Sequence, residues 1–184
     1  MKKDWGAKLM AYPTPLYLVA TYDAQGKPNA MTVGWGGICC SVPPCVSISV
    51  RKATHTYEGL MAHRAFSVNL PDETHMQEAS YLGTSSGKNE DKFARAGLTP
   101  VRCTCVDAPY IEQMPINLEC KLVQIHEIGS HIQFIGEIVN VKTDDTFTAQ
   151  GVPLIEQLRP IVYGVGDNHR YYKLGEGVSV KIKA

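Results

Sequence analysis

Two long apolar-rich runs in the second half of the chain constrain its fold more than any other feature. Ile116–Glu127 and His131–Lys142 read as strands, and Ile128-Gly129-Ser130 supplies the turn between them. Leu16–Tyr22 (Leu-Tyr-Leu-Val-Ala-Thr-Tyr) is a strand of the same β-forming character. Asp23-Ala-Gln-Gly26-Lys-Pro28 breaks it, and Asn29–Trp35 returns, so residues 16–35 predict a hairpin. An irregular segment ends at Pro43-Pro44. Val46–Val50 then alternates apolar and polar residues, the period of a half-buried strand. Phe66–Leu70, Ile161–Tyr163 and Tyr171–Leu174 add further strands. The helical segments are short. Thr54–His63 carries Tyr57, Leu60 and Met61 at i, i+3 and i+4, with Thr54 as its cap. Pro71–Leu82 and Glu90–Ala96 follow, the latter with Gly97 at the C′ position. Many strands and few helices predict a mainly β fold: an antiparallel barrel, closed or partly closed, with helices over its ends. No repeat, low-complexity tract or linker interrupts the chain, so residues 1–184 read as one domain.

Composition narrows the function classes. Net charge is zero, which argues against a nucleic-acid partner, since phosphate binding needs excess Lys and Arg. No run of about 18 apolar residues predicts a membrane helix. The start, Met1-Lys2-Lys3-Asp4-Trp5, has no apolar stretch of a secretory leader, so a cytoplasmic location is expected. The six cysteines (Cys39, Cys40, Cys45, Cys103, Cys105, Cys120) then read as reduced, small, buried side chains. Their spacing makes no zinc site. A Cys39–Cys40 redox pair is disfavoured, because neighbours on a strand face opposite ways.

Several familiar motifs fail on spacing. Gly83-Thr-Ser-Ser-Gly87-Lys88-Asn89 is one residue short of a P-loop and ends in Asn. His126–His131 is one residue too long for H-E-x-x-H. Gly164-x-Gly166 lacks the third glycine of a dinucleotide fingerprint, and no G-x-S-x-G elbow exists.

What survives is a set of groups suited to a flat aromatic ligand bearing a phosphate. Ser47–Thr56 runs from a strand into a helix start, where free N–H groups and the helix dipole favour an anion. Arg51 adds a planar fork of donors, and Thr54 and Thr56 add hydroxyls. Asn29 offers an amide for a polar ring edge, with the backbone near Met31 beside it, and Trp35 a face to pack on one. Lys92, with Ser85 or Ser86, adds further donors. Each residue also has an ordinary reading: Thr54 as a cap, Arg51 as a solvated strand end, Trp35 as core, Asn29 as a hairpin residue, Asp91 and Lys92 as a solvated helix face.

The ordered set decides between these readings. Asn29-Ala-Met-Thr, Trp35-Gly, Pro43-Pro44, Ser49-Val-Arg51-Lys-Ala-Thr-His55-Thr56, Phe66-Ser-Val-Asn69-Leu-Pro71, Ser86-Gly87, Asp91-Lys92-Phe93, Glu119-Cys120, Gly129-Ser-His131 and Gly136-Glu137 follow one another over residues 9 to 175. This order resembles the flavin reductase-like family, in particular its flavoredoxin branch. The resemblance implies an FMN-binding split barrel that forms homodimers. It implies Asn29, Met31, Thr32 and Trp35 around the flavin ring. Ser49, Arg51, Thr56 and Lys92 would hold the ribityl-phosphate end, with Val50, His55 and Ser86 in the same contact set, and His131 and Tyr163 would complete the pocket. Cys39-Cys40 departs from the cysteine-serine or serine-serine pair expected there.

With FMN bound, the cofactor would carry the electrons and the protein would need no acid–base pair. Donors near the ring would stabilise a reduced anionic flavin, and a positively charged His131 would add to this, its charge being left open by the sequence. Three activities fit: an electron carrier or oxidoreductase working with a redox partner protein, a reductase using NADH or NADPH and releasing reduced flavin, or a barrel that binds a ligand without redox turnover.

Overall fold

The computed structural model describes residues 1–11, 13–165 and 170–178; Gly166 of the discarded glycine motif lies outside them. In chain order the strands open with β1 (Thr14–Pro15), β2 (Tyr17–Tyr22), β3 (Pro28–Val33), β4 (Gly36–Ser41) and β5 (Pro44–Val50). Helix α1 (His55–His63) and β6 (Ala65–Leu70) lead to α2 (Met76–Thr84) and α3 (Lys92–Ala96). Then come β7 (Pro100–Arg102), β8 (Pro109–Ile111), and the long pair β9 (Ile116–Ile128) and β10 (His131–Thr143). The short β11 (Thr148–Ala149), β12 (Val152–Pro153) and α4 (Ile155–Leu158) precede β13 (Ile161–Gly164) and β14 (Arg170–Lys173).

Seven strands form one antiparallel sheet in the order β3-β2-β6-β9-β10-β5-β4, and β1-β13-β14 form a second. The architecture is mainly β, antiparallel and served by short helices, as the sequence predicts. The large sheet is not joined into a closed ring: β3 and β4 are its outer strands, each paired on one side.

β2 explains why Leu16–Tyr22 is apolar almost throughout. Tyr17 and Val19 enter the core inside the curved sheet, with Ile48, Phe66 and Phe134. Leu16, Leu18 and Ala20 point the other way, under α2 and α3, with Leu82 and Phe93. A strand buried on both faces needs a continuous apolar run rather than alternation. The β9–β10 pair bends at irregularities between Ile135 and Gly136 and between Ile138 and Asn140. Gly136 fits there because a Cβ would stand 2.8 Å from Phe66 Cε1. On β9 the buried Glu119 accepts from the N–H groups of Thr104 and Cys105 at 3.2 and 2.7 Å, pinning that loop to the sheet.

The structure departs from the sequence reading at five places. Trp35 is not on a strand: β3 stops at Val33, and Gly34-Trp35 form a bend. The segment read as irregular before Pro43 is the edge strand β4. The helix expected over Pro71–Leu82 starts as a 3₁₀ turn, Glu73–His75, capped by Asp72. Met61 is exposed, and α1 buries Gly59 and Leu60 instead, because Gly59 packs directly on the Tyr22 carbonyl. Cys39, Cys40 and Cys105 are exposed, so only Cys45, Cys103 and Cys120 match the buried expectation.

Candidate functional site

A cleft of about 490 Å³ opens where β3, β5, α2 and the second sheet meet. This is within the usual range for a small-molecule site. Its apolar wall comes from Leu16, Met31, Val33, Trp35, Tyr163 and Tyr171. The Gly34-Trp35 bend creates that wall. Released from the sheet, the indole meets the Tyr163 ring with centroids 6.3 Å apart, and Tyr163 meets Tyr171 edge-on at 6.0 Å. Gly34 permits the approach, since a Cβ there would sit 2.8 Å from Tyr163 Cδ1. Trp35 is therefore half-buried cleft wall and not core.

The polar end of the cleft is the exit of β5. Ser49, Val50, Arg51 and Thr54 line it, and α1 starts at the next residue. Thr54 stands at the N-cap position but makes no cap bond. Its hydroxyl donates instead to the Arg51 carbonyl at 2.8 Å. The first N–H groups of α1 are thus left without a side-chain cap, beside a guanidinium, which is an arrangement suited to an anion. His131 faces the same end, its Nδ1 2.8 Å from Ser130 Oγ. Burial, and after it the Arg51 charge, holds the His131 imidazole below its usual range. The positive His131 considered from sequence is not favoured in this environment.

Of the residues singled out in the sequence, Met31, Thr32, Trp35, Ser49, Val50, Arg51, His131 and Tyr163 line this cleft together. Thr32 also donates its hydroxyl to the Ala79 carbonyl, tying β3 to α2. Asn29, His55 and Thr56 sit behind the start of α1. Asn29 Nδ2 donates to Thr56 Oγ1 at 2.8 Å, and both residues are buried. His55 Nε2 lies 3.4 Å from Asp23 Oδ2. Burial opposes ionisation of Asp23, but the N–H groups of Lys27 and Gln25 hold its carboxyl below the usual range. Gly87, next to Ser86, closes on this group so tightly that a Cβ would overlap Asn29 Oδ1. Asn29 Oδ1 and His55 Nδ1 are buried without a hydrogen bond, so polar capacity remains beside the anion end.

Lys92 is not brought into the cleft lining, nor is it a solvated helix residue. It is buried, with Nζ 2.7 Å from the Leu82 carbonyl in the last turn of α2. Burial pulls its pKa down to about 8. Asp91 caps α3 through the Ala94 N–H at 3.1 Å. Sequence reasoning missed Ser80, Gly83 and Thr84, which bring α2 to the cleft rim, and it placed Tyr171 only on a strand. No local motif marks those α2 positions; their role follows from how α2 docks on β3. A second cleft of about 390 Å³, lined by Lys8, Leu9, Met10, Ala11, Thr14 and Val165, shares Trp35 and Ser49 with the first.

The fold and the sequence match known proteins along almost the whole chain. Flavoredoxin of Desulfovibrio vulgaris (Miyazaki F) is 45% identical and superposes with a TM-score of 0.91, covering 98% of this chain and 97% of that one. Flavoredoxin from Methanosarcina acetivorans is 27% identical, with a TM-score of 0.92 over 100% of this chain and 96% of that one. A protein of Archaeoglobus fulgidus is 31% identical over 74% of this chain and 76% of its own length. The model of the flavin reductase like domain matches residues 9–166, and the chain belongs to that family.

Proposed function

We propose that the protein is an FMN-dependent oxidoreductase of the flavoredoxin type, passing electrons through a tightly but non-covalently held flavin. The observation that carries this reading is the two-ended cleft: an aromatic and aliphatic slot that runs into Arg51 and the uncapped start of α1. Its shape and chemistry fit the cofactor. Met31, Trp35 and Tyr163 would contact the ring, and Ser49, Arg51 and Thr54 the ribityl-phosphate end. Asn29, His55 and Thr56 stand behind that end, with Asn29 Oδ1 and His55 Nδ1 buried and without a hydrogen bond. Bound FMN supplies the electron transfer that no side chain of the cleft offers. The chain's own part is to hold the phosphate and cover the ring. The second cleft, sharing Trp35 and Ser49, leaves room for the donor or acceptor to approach. The 45% identity to a flavoredoxin favours an electron carrier over a reductase that releases its flavin.

The visible spectrum of the purified protein, before and after NADH, NADPH and dithionite, tests the reading. A flavin that stays bound and is reduced by dithionite supports it. Rapid bleaching by NADH or NADPH with release of reduced flavin points to the reductase, and a colourless protein that takes up no FMN overturns both. Titration with FMN and riboflavin tests the anion end. Arg51→Ala should weaken FMN by roughly 10- to 150-fold, the equivalent of about 1.5–3 kcal/mol, and leave riboflavin unchanged. We also propose a homodimer. Tyr163 and Tyr171 are spent on the cleft wall, so Tyr172 is the exposed tyrosine left for an interface at that end. A monomer mass by light scattering at micromolar concentration would reject it.

A further inference from the structure

Cys40 on β4 and Cys45 on β5 stand directly opposite each other in the antiparallel register, next to the Ser41–Pro44 pair that closes the hairpin. Facing residues in such a ladder have Cα atoms about 4.5–5.5 Å apart. Disulfides span about 4.4–6.8 Å, so this pair needs no backbone movement to be bridged. The register shift between Ile38 and Cys40 makes Cys39 the unpaired extra residue of a bulge. Cys39 and Cys40, as chain neighbours, point apart, whereas Cys45 faces Cys40 across the hairpin.

Access divides the two thiols. Cys40 is exposed and Cys45 is buried. Cys40 Sγ donates to the Val42 carbonyl at 3.5 Å, and burial, followed by its sulfur neighbours, pushes the Cys45 thiol up from its ordinary range. Cys103 and Cys120 form the useful contrast. Both are buried, and burial pushes Cys103 up to about 12, so neither can meet an outside disulfide. Among the described residues, only the β4–β5 hairpin combines an accessible sulfur with a shielded one directly facing it.

We propose that Cys40 and Cys45 form a thiol–disulfide exchange site that takes small disulfides of the glutathione class. Cys40, as its thiolate, attacks one sulfur of RSSR. A Cys40–SR bond forms, the RS–SR bond breaks, and the leaving thiolate takes up the proton that Cys40 gave up. Cys45 loses its proton, attacks the Cys40 sulfur and releases the second RSH. Two protein thiols and one RSSR thus give one internal disulfide and two RSH, and two electrons pass to the outer disulfide. Reduced glutathione in excess reverses both steps. Cys45 serves as the resolving thiol because it faces Cys40 across the ladder while solvent is kept from it. The site does not depend on how the flavin reading turns out, since neither sulfur lines the cleft.

The test is equilibration of the purified protein in glutathione buffers of stepped ratio, followed by acid quench, alkylation and peptide mass analysis. The tryptic peptide ending at Arg51 contains Cys39, Cys40 and Cys45. It should accept three alkyl groups when reduced and one when oxidised. Cys39→Ser should keep the internal link and accept none when oxidised. Cys40→Ser, a change at an exposed position, should form no internal link. Cys45→Ala should trap glutathione on Cys40. Three accessible thiols at every buffer ratio would overturn the proposal, as would an internal link surviving in Cys40→Ser or a link between two chains on a non-reducing gel.

Discussion

At the scale of the residue, two of the ionisable groups given to the phosphate or the ring from sequence, His131 and Lys92, behave according to their surroundings. His131 is half-buried and faces Arg51, so protonation must overcome lost hydration first and a like charge second. In the flavin-free protein an NMR titration should find it half-protonated below pH 6.5, and Arg51→Ala should move that midpoint up. A midpoint at or above 6.5 in the wild type would contradict this. Lys92 is the more instructive case. Its stem is packed in the core and its ammonium donates to the Leu82 carbonyl. Lys92→Ala should lower stability by about 1–3 kcal/mol, the cost of a buried acceptor left unmet. The ratio of FMN to riboflavin affinity should stay at its wild-type value. A selective loss of FMN would mean that the ammonium reaches the phosphate after all.

At the scale of the element, α1 is fixed at both ends by groups outside it. Its start is aimed at the cleft because Thr54 bonds backward to Arg51 and not forward into the helix. Its end is held by His63, whose Nε2 lies 2.9 Å from the Asp23 carbonyl and whose Nδ1 lies 2.9 Å from Asp107 Oδ2. Two acceptors on two ring nitrogens require both to carry hydrogen, which is the imidazolium. The bond to Asp23, and after it the Asp107 contact against the cost of burial, raises the His63 pKa above its ordinary value. The folded state then binds this proton more tightly than the unfolded chain. The stabilisation is fully present below pH 6.5 and is lost as pH rises through the folded value. Urea midpoints at pH 5.5 and pH 8 should therefore differ more in wild type than in His63→Ala or Asp107→Asn. An unchanged difference would remove the argument.

At the scale of the whole molecule, the cleft exists because the large sheet curves enough to bring β3 and β5 together and the second sheet lays β13 against them. The bend in β10 at Gly136 sets part of that curvature, with the Phe66 ring filling the space a side chain would need. Gly136→Val should overpack the core by about 1–3 kcal/mol, seen as a lower urea midpoint with an unchanged slope. A neutral effect would show that the bulge has slack. The sequence by itself determined the strands of the large sheet other than the exposed edge strand β4, because an apolar run or an alternating one is a local pattern that burial on two faces or one demands. It also determined the end of β5 running into α1, because Arg51, Thr54 and His55 are neighbours along the chain. The tertiary structure alone decided what Trp35 and Lys92 do. Trp35 leaves the strand because Gly34 closes on Tyr163, a residue far along the chain, and Lys92 is drawn inward by the end of a different helix. It alone decided the rim supplied by Ser80 and Thr84, and the facing of Cys40 with Cys45. Both depend on docking and register, and register is fixed by which strands meet across the sheet rather than by the residues next door.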